Sequence, residues 1–234
     1  MSVAVDSELE RLARVLRCRT RDLGFLARFS ATEIRALRLV VSARMYADHE
    51  TTYSRIAAAS RLLPMRVTAP LAQRMLPARV SAGVVASLPA DQAAAMSARM
   101  SADYVADVSG FVHPVLSAPV LSRLPCDVIV RVAVVLAHRE DYDTMAEVVA
   151  ALSDAQVEAV VDAIEDPAVL VQVALRVTDP DALQHLTGII PEPRLREMVV
   201  WARRRTRLWP ELVALLGRLP AARRKRLLSA ARAS

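Results

Sequence analysis

The sequence predicts an all-α fold: a right-handed superhelix, or α-solenoid, of short helical hairpins with an N-terminal helical cap. Three observations lead there. Hydrophobic residues make up 54% of the 234-residue chain and aromatics only 4%, so alanine, valine and leucine must supply the core. Alanine and leucine lose little side-chain freedom in a helix. Glycine occurs only 5 times, too rarely for a turn-rich β-sandwich or a phosphate-cradling loop. Finally, helix-breaking or capping residues recur at a near-constant step over most of the chain.

In the N-terminal region, Asp6–Arg19 places Leu9, Leu12, Val15 and Leu16 at helical spacing. Gly24 and the segment from Phe25 to Ser30 interrupt it. Ser30-Ala-Thr-Glu33 then forms a capping box, in which the serine oxygen accepts from the Glu33 amide while the Glu33 carboxylate reaches back. A second helix follows through Ile34, Leu37, Val40 and Val41 to about Met45. Asp48-His49-Glu50 reads as a polar turn, and a third amphipathic helix runs from about Thr52 to Leu63. Thr20–Met45 also has the outline of a helix-turn-helix. Glu33, near the start of the element that would enter a groove, would be repelled by phosphate.

From Leu63 onward the breaks fall at Leu63-Pro64, Leu76-Pro77, Leu88-Pro89, Met100-Ser101, His113-Pro114, Leu124-Pro125, Leu152-Ser153, Asp166-Pro167, Asp179-Pro180, Ile190-Pro191 and Leu219-Pro220. The steps are 13, 12, 12, 13, 11, 28, 14, 13, 11 and 29 residues, with 28 and 29 reading as doubled units. Proline is tolerated in the first helical turn, where its missing amide would have no partner. It also disfavours helix in the residue before it. Each break therefore ends one helix and starts the next. About three turns fit between breaks, and a helix that short is marginal alone. Its apolar face must lie on neighbours, such as Val157, Val160, Val161 and Ile164 behind the Ser153 cap. Two units make a hairpin of about 25 residues, within the period range of helical arrays.

The repeated pattern appears as Leu88-Pro89-Ala90-Asp91-Gln92-Ala93, Leu124-Pro125-Cys126-Asp127-Val128-Ile129 and Leu152-Ser153-Asp154-Ala155-Gln156-Val157. It resembles the cytoplasmic N-terminal domain of MgtE-type magnesium transporters and the related helical superhelix of the flagellar motor switch. The resemblance covers roughly residues 62–193. It implies a right-handed helical stack that contacts another component. It does not imply magnesium transport, because no regulatory nucleotide-binding pair or membrane domain accompanies the pattern. The expected division is an N-terminal helical region at 1–61 packed on the stack, the hairpin stack at 62–193, and a basic helical cap at 194–234.

The longest apolar run, Val128–Ala137, is interrupted by Arg131. It falls short of the about 20 residues a spanning helix needs. The first residues turn acidic and amphipathic at once, unlike a secretory signal, so a cytoplasmic location is expected. Cys18 and Cys126 are then expected to be reduced core thiols. No His, Cys, Asp or Glu grouping has the spacing of a zinc or catalytic site. His49 in Asp48-His49-Glu50 and the segment His138–Asp141 read as solvated connectors. The sequence therefore points away from an enzyme and away from any metal or cofactor.

Charge is segregated. Residues 194–234 carry net +10, residues 139–193 net −10 and residues 1–138 net +6. Asp154, Glu158 and Asp162 share one helix face by their spacing of four. That face reads as solvated, opposite the Val/Ile core face. The C-terminal segment pairs clustered cations with the two tryptophans, Trp201 and Trp209. Its candidate partner-binding residues are Arg203, Arg204, Arg205, Arg207, Arg223, Arg224 and Arg226. The simplest reading is a terminal hairpin with an apolar inner and a basic outer face, the polar cap that stacked repeats require. The leading expectation is a scaffold that binds another protein. The alternative is a nucleic-acid-associated regulator that uses those arginines.

Overall fold

Each break from Leu63-Pro64 to Ile190-Pro191 falls between two helices in the computed structural model, which describes residues 3–205, 208–217, 221, 224 and 225. Leu219-Pro220 lies outside the described residues. All regular structure among the described residues is helical. The order is α1 (Val3–Leu16), a 3-10 helix (Thr20–Arg28), α2 (Ala31–Ser60), α3 (Met65–Met75), α4 (Ala78–Ser87), α5 (Ala90–Ser97), α6 (Ala102–Ser109), α7 (Pro114–Leu121) and α8 (Cys126–His138). It continues with α9 (Tyr142–Val148), a short 3-10 turn (Val149–Ala151), α10 (Asp154–Ala163), α11 (Pro167–Arg176), α12 (Pro180–Ile189), α13 (Glu192–Arg203) and α14 (Trp209–Leu216). No helix among the described residues is long and apolar enough to cross a membrane.

Proline occupies the N-cap of α3, α4, α5, α8 and α13 and the first residue of α7, α11 and α12. Ser153 completes a capping box with Gln156, as Ser30 does with Glu33. The doubled step between Leu124 and Leu152 is divided at Arg139-Glu140. Glu140 has φ 55° there, and Asp141 then caps α9. Pro70 and Pro119 stand inside α3 and α7 and are exposed, so water can serve the carbonyls they leave unpaired.

The structure departs from expectation at α2 and at the two cysteines. The expected turn at Asp48-His49-Glu50 does not exist, because α2 runs unbroken through it for 30 residues. No glycine or proline lies between Ser30 and Pro64, and the polar residues reinforce the helix. Arg44 pairs with Asp48 at 3.2 Å, His49 Nδ1 lies 3.0 Å from the Met45 carbonyl, and His49 stacks on Tyr53. Nor are the cysteines in the core. Both are exposed, Cys18 because α1 has already ended and Cys126 because it opens the first turn of α8.

From α3 onward the helices form two interleaved series. In one, α4, α6, α8, α10 and α12 each contact the next; in the other, α3, α5, α7, α9, α11 and α13 do. The largest apolar cluster joins both series between Val105 and Leu216. It encloses an apolar cavity of about 120 Å³. Helix α2, about 45 Å long at 1.5 Å per residue, runs past successive units as a strut. Arg35 meets Asp179, Arg38 meets Glu147, and the Leu39 carbonyl meets His113. Further along, Tyr46 meets Ser87, the Tyr53 ring packs on Gly83, and Ala57 joins the cluster under α3. A Cβ on Gly83 would stand 2.5 Å from that ring, so only glycine allows the approach.

Helices this short leave many carbonyls unpaired at their ends. Here a side chain three helices further on supplies the donor. Arg79 of α4 donates to Val15 at the end of α1 at 3.3 Å, and Tyr104 of α6 to Leu76 after α3 at 2.9 Å. Gln156 of α10 donates to Leu121 at 3.0 Å and Leu124 at 2.6 Å after α7. Arg194 of α13 donates to Val161 and Ile164 at the end of α10. Gln156 is buried, so Gln156→Leu leaves the Leu124 carbonyl without a donor and the Leu121 carbonyl with only the Leu124 amide at 3.2 Å, and is expected to destabilise the fold by about 1–3 kcal/mol in urea-induced unfolding.

Candidate interaction surfaces and a cleft beside α2

Of the sequence-predicted arginines, Arg203, Arg204 and Arg205 stand together and exposed at the end of α13. The Arg205 guanidinium lies 3.5 Å over the Trp201 ring. Trp201 and Trp209 are half-buried against the main apolar cluster. Arg224 is half-buried, with Nη1 3.4 Å from the Gly217 carbonyl. Arg207, Arg223 and Arg226 lie outside the described residues. The acidic face of α10 is exposed at Asp154, Glu158 and Asp162, and His185 pairs with Asp154 at 3.1 Å. The basic segment reaches α10 through Arg194, which takes carbonyls there rather than that acidic face.

A second surface was not singled out from the sequence. Helix α3 buries only Thr68, Ala69 and Ala72. Leu63, Val67, Leu71 and Met75, spaced by four, form an exposed stripe, with Met75 70% exposed and adjacent Leu62 84%. In its own series α3 contacts α5, and no earlier member precedes it. Residues 51–90 hold five arginines and no carboxylate.

The polar centre of the molecule lies where α1 and α2 meet α9. Glu8, Arg11, Arg38 and Glu147 are all buried. Arg11 Nη1 lies 2.9 Å from Glu8 Oε1 and 3.0 Å from Glu147 Oε2. Arg38 Nε donates to Glu8 Oε2 at 2.9 Å and Nη2 to Glu147 Oε2 at 2.7 Å. Thr178, the Asp143 carbonyl and a Ser7–Asp143 hydrogen bond extend the network. Burial alone would lower the Arg38 pKa, but Glu147 and Glu8 outweigh it and hold the group above its ordinary value. The signal in the sequence was a charge at a core position, since Arg38 follows Ile34 by one turn on the inward face of α2.

Beside this network a cleft of about 400 Å³ opens between the end of α1, the middle of α2 and α4. Tyr46, His49, Tyr53 and Phe111 give it aromatic walls, Arg17 and Arg79 give it cations, and Ser42 and His113 border it. His113 is half-buried. Its Nδ1 accepts from the Leu116 amide, and Nε2 lies 3.4 Å from the Leu39 carbonyl. Burial pushes its pKa below 6.5.

Comparisons of the chain with protein-family models, with curated proteins and with solved structures find no match.

Removing one partner from a buried ion network leaves an uncompensated charge. Arg38→Ala is therefore expected to cost about 3–5 kcal/mol in denaturant unfolding. Because the folded-state His113 value is depressed, its contribution to stability is present above the unfolded value of 6.5 and lost as pH falls toward the folded one. Over that window, unfolding free energy should fall less steeply for His113→Gln than for the parent chain.

Proposed function

We propose that this chain is a non-enzymatic interaction scaffold, a right-handed superhelix of the MgtE N-terminal-like type, which receives a helix of a partner protein on α3. It acts in the cytoplasm without metal or cofactor. The exposed Leu63/Val67/Leu71/Met75 stripe carries this reading. Stacked repeats require a polar cap at each end, and α3 presents apolar side chains where a preceding helix would sit. Contiguous exposed apolar surface rimmed by polar groups marks interaction sites. Here the rim is Arg61, Arg66 and Arg74 with no acidic residue nearby in sequence. The occupant is thus an acidic amphipathic helix with apolar anchors at one-turn intervals.

A fluorescein-labelled synthetic amphipathic peptide with leucine anchors and glutamate flanks tests the site by anisotropy. Leu71→Glu and Met75→Glu each introduce repulsion and a desolvated charge. They should weaken binding at least about tenfold, with unchanged circular dichroism. A peptide with lysine flanks should bind more weakly. Equal affinity for both peptides, or no effect of either substitution, would refute the assignment.

A second reading is favoured by one feature. Arg203, Arg204 and Arg205 are adjacent and exposed, and no carboxylate lies within ion-pair distance of them among the described residues. Such a cluster can take nucleic-acid phosphates. In electrophoretic shift assays the logarithm of affinity should then fall with log salt by about 0.9 per neutralised phosphate. Replacing all three by alanine should reduce that slope. No shift at micromolar protein in low salt would remove this reading.

A further inference from the structure

We infer that the cleft between α1, α2 and α4 binds a small aromatic oxyanion, with its carboxylate or phosphate at Arg17 and Arg79 and its ring among Tyr46, Tyr53 and Phe111. This site is separate from the α3 stripe and does not rest on it.

The charge balance of the cleft comes first. Arg11 and Arg38 next door are matched by Glu8 and Glu147. Arg17 and Arg79 have no carboxylate within ion-pair distance among the described residues. They are close enough to repel, and Arg79 is half-buried. Its protein contacts are the Val15 carbonyl at 3.3 Å and the Met45 sulfur at 3.7 Å, neither of which neutralises it. Burial, with Arg17 adding to it, lowers the Arg79 pKa. An anion placed between the two guanidinium groups relieves both effects through charge-assisted hydrogen bonds.

The backbone at Arg17 is a second observation. Its φ is 57°, the left-handed region. It stands just past α1, where the Cys18 amide returns to the Ala13 carbonyl at 3.1 Å. Glycine is the residue that terminates helices this way without strain. An arginine here accepts backbone strain and places a cation at the cleft. Glu140 closes α8 with the same left-handed turn, so the turn itself ends the helix, and what sets Arg17 apart is that its side chain lines the cleft.

The walls decide the rest of the ligand. Tyr46 and Tyr53 have ring centroids 5.6 Å apart, and Gly83 lets the Tyr53 ring sit against α4. Beyond Phe111 and His113 a smaller cavity of about 50 Å³ continues to the ion network. There Glu147 Oε1 and Arg11 Nε are buried without a protein partner. That inner end suits ordered water or a hydroxyl on the far side of the ring. A wide aromatic pocket with a few convergent polar groups is the usual form of a small-molecule site.

Calorimetric titration of the full chain with benzoate and with phenyl phosphate tests this, with phenol, inorganic phosphate and cyclohexanecarboxylate as controls. The aromatic anions should bind tighter than all three, and ring resonances of Tyr46 and Tyr53 should shift. Arg17→Gly suits the backbone, so thermal stability should hold or rise, yet affinity should fall at least about tenfold through loss of a charged hydrogen bond. Arg79→Met should weaken binding similarly, while Leu71→Glu on α3 should leave it unchanged. Phenol binding as tightly as benzoate, no binding of either aromatic anion at millimolar concentration, or unchanged affinity in both arginine variants would overturn the proposal.

Discussion

Four buried charges, Glu8, Arg11, Arg38 and Glu147, fix how the N-terminal helices meet the helical array. Taking ions out of water costs several kcal/mol each, and the attraction between them offsets that only when geometry is good and remaining lone pairs find donors. The network meets most of this demand. Glu8 accepts from Arg11, Arg38 and Thr178, and Glu147 Oε2 from both arginines. Apolar residues can slide and repack, but a buried carboxylate bound to two guanidinium groups has no second register of comparable energy. Because α2 is one rod, anchoring it at Arg38 sets its whole length. Tyr46 then reaches Ser87, Tyr53 reaches Gly83, and Ala57 comes under α3.

The array itself answers a different constraint. Helices of 7–13 residues cannot persist alone in water, and their unpaired carbonyls are costly wherever neighbours cover them. Tyr104, Gln156 and Arg194 meet that cost by donating to helix ends three positions earlier in the order. The same residues that bury apolar faces therefore also tie each unit to one beyond its nearest neighbour. Arg79 belongs to this set through Val15, but its guanidinium keeps capacity to spare. Arg194 is a cation as well, but Glu197 matches its charge at 2.7 Å, whereas no carboxylate lies within ion-pair distance of Arg79 among the described residues.

Local chemistry was legible in the sequence and distant pairing was not. Every proline and serine break within the described residues was readable because a missing amide or a capping oxygen acts on its own turn. Asp48-His49-Glu50 has the polarity of a turn, yet α2 continues through it. The residues that stop helices, glycine and proline, are what that stretch lacks. Cysteine as a residue type favours the core, but Cys18 and Cys126 stand at helix ends, where the chain is exposed. Arg38 and Glu147 are 109 residues apart, and nothing local announces such a pair beyond a charge at a core position. The stripe on α3 has the same spacing as any buried face, so the pattern shows that it seeks a partner without showing whether the chain provides one.

The exposed edge and the ion network are two sides of one choice. In chain order, the helix available to precede α3 in its series is α1. The network instead draws α1 to α9 and α11, where Arg11 meets Glu147 and Glu8 meets Thr178. Helix α2 spans the distance between these positions and packs on α4. Among the described residues, Leu63, Val67, Leu71 and Met75 therefore stay exposed. The polar energy that fastens α1 at one end of the strut leaves the apolar side chains of α3 open at the other.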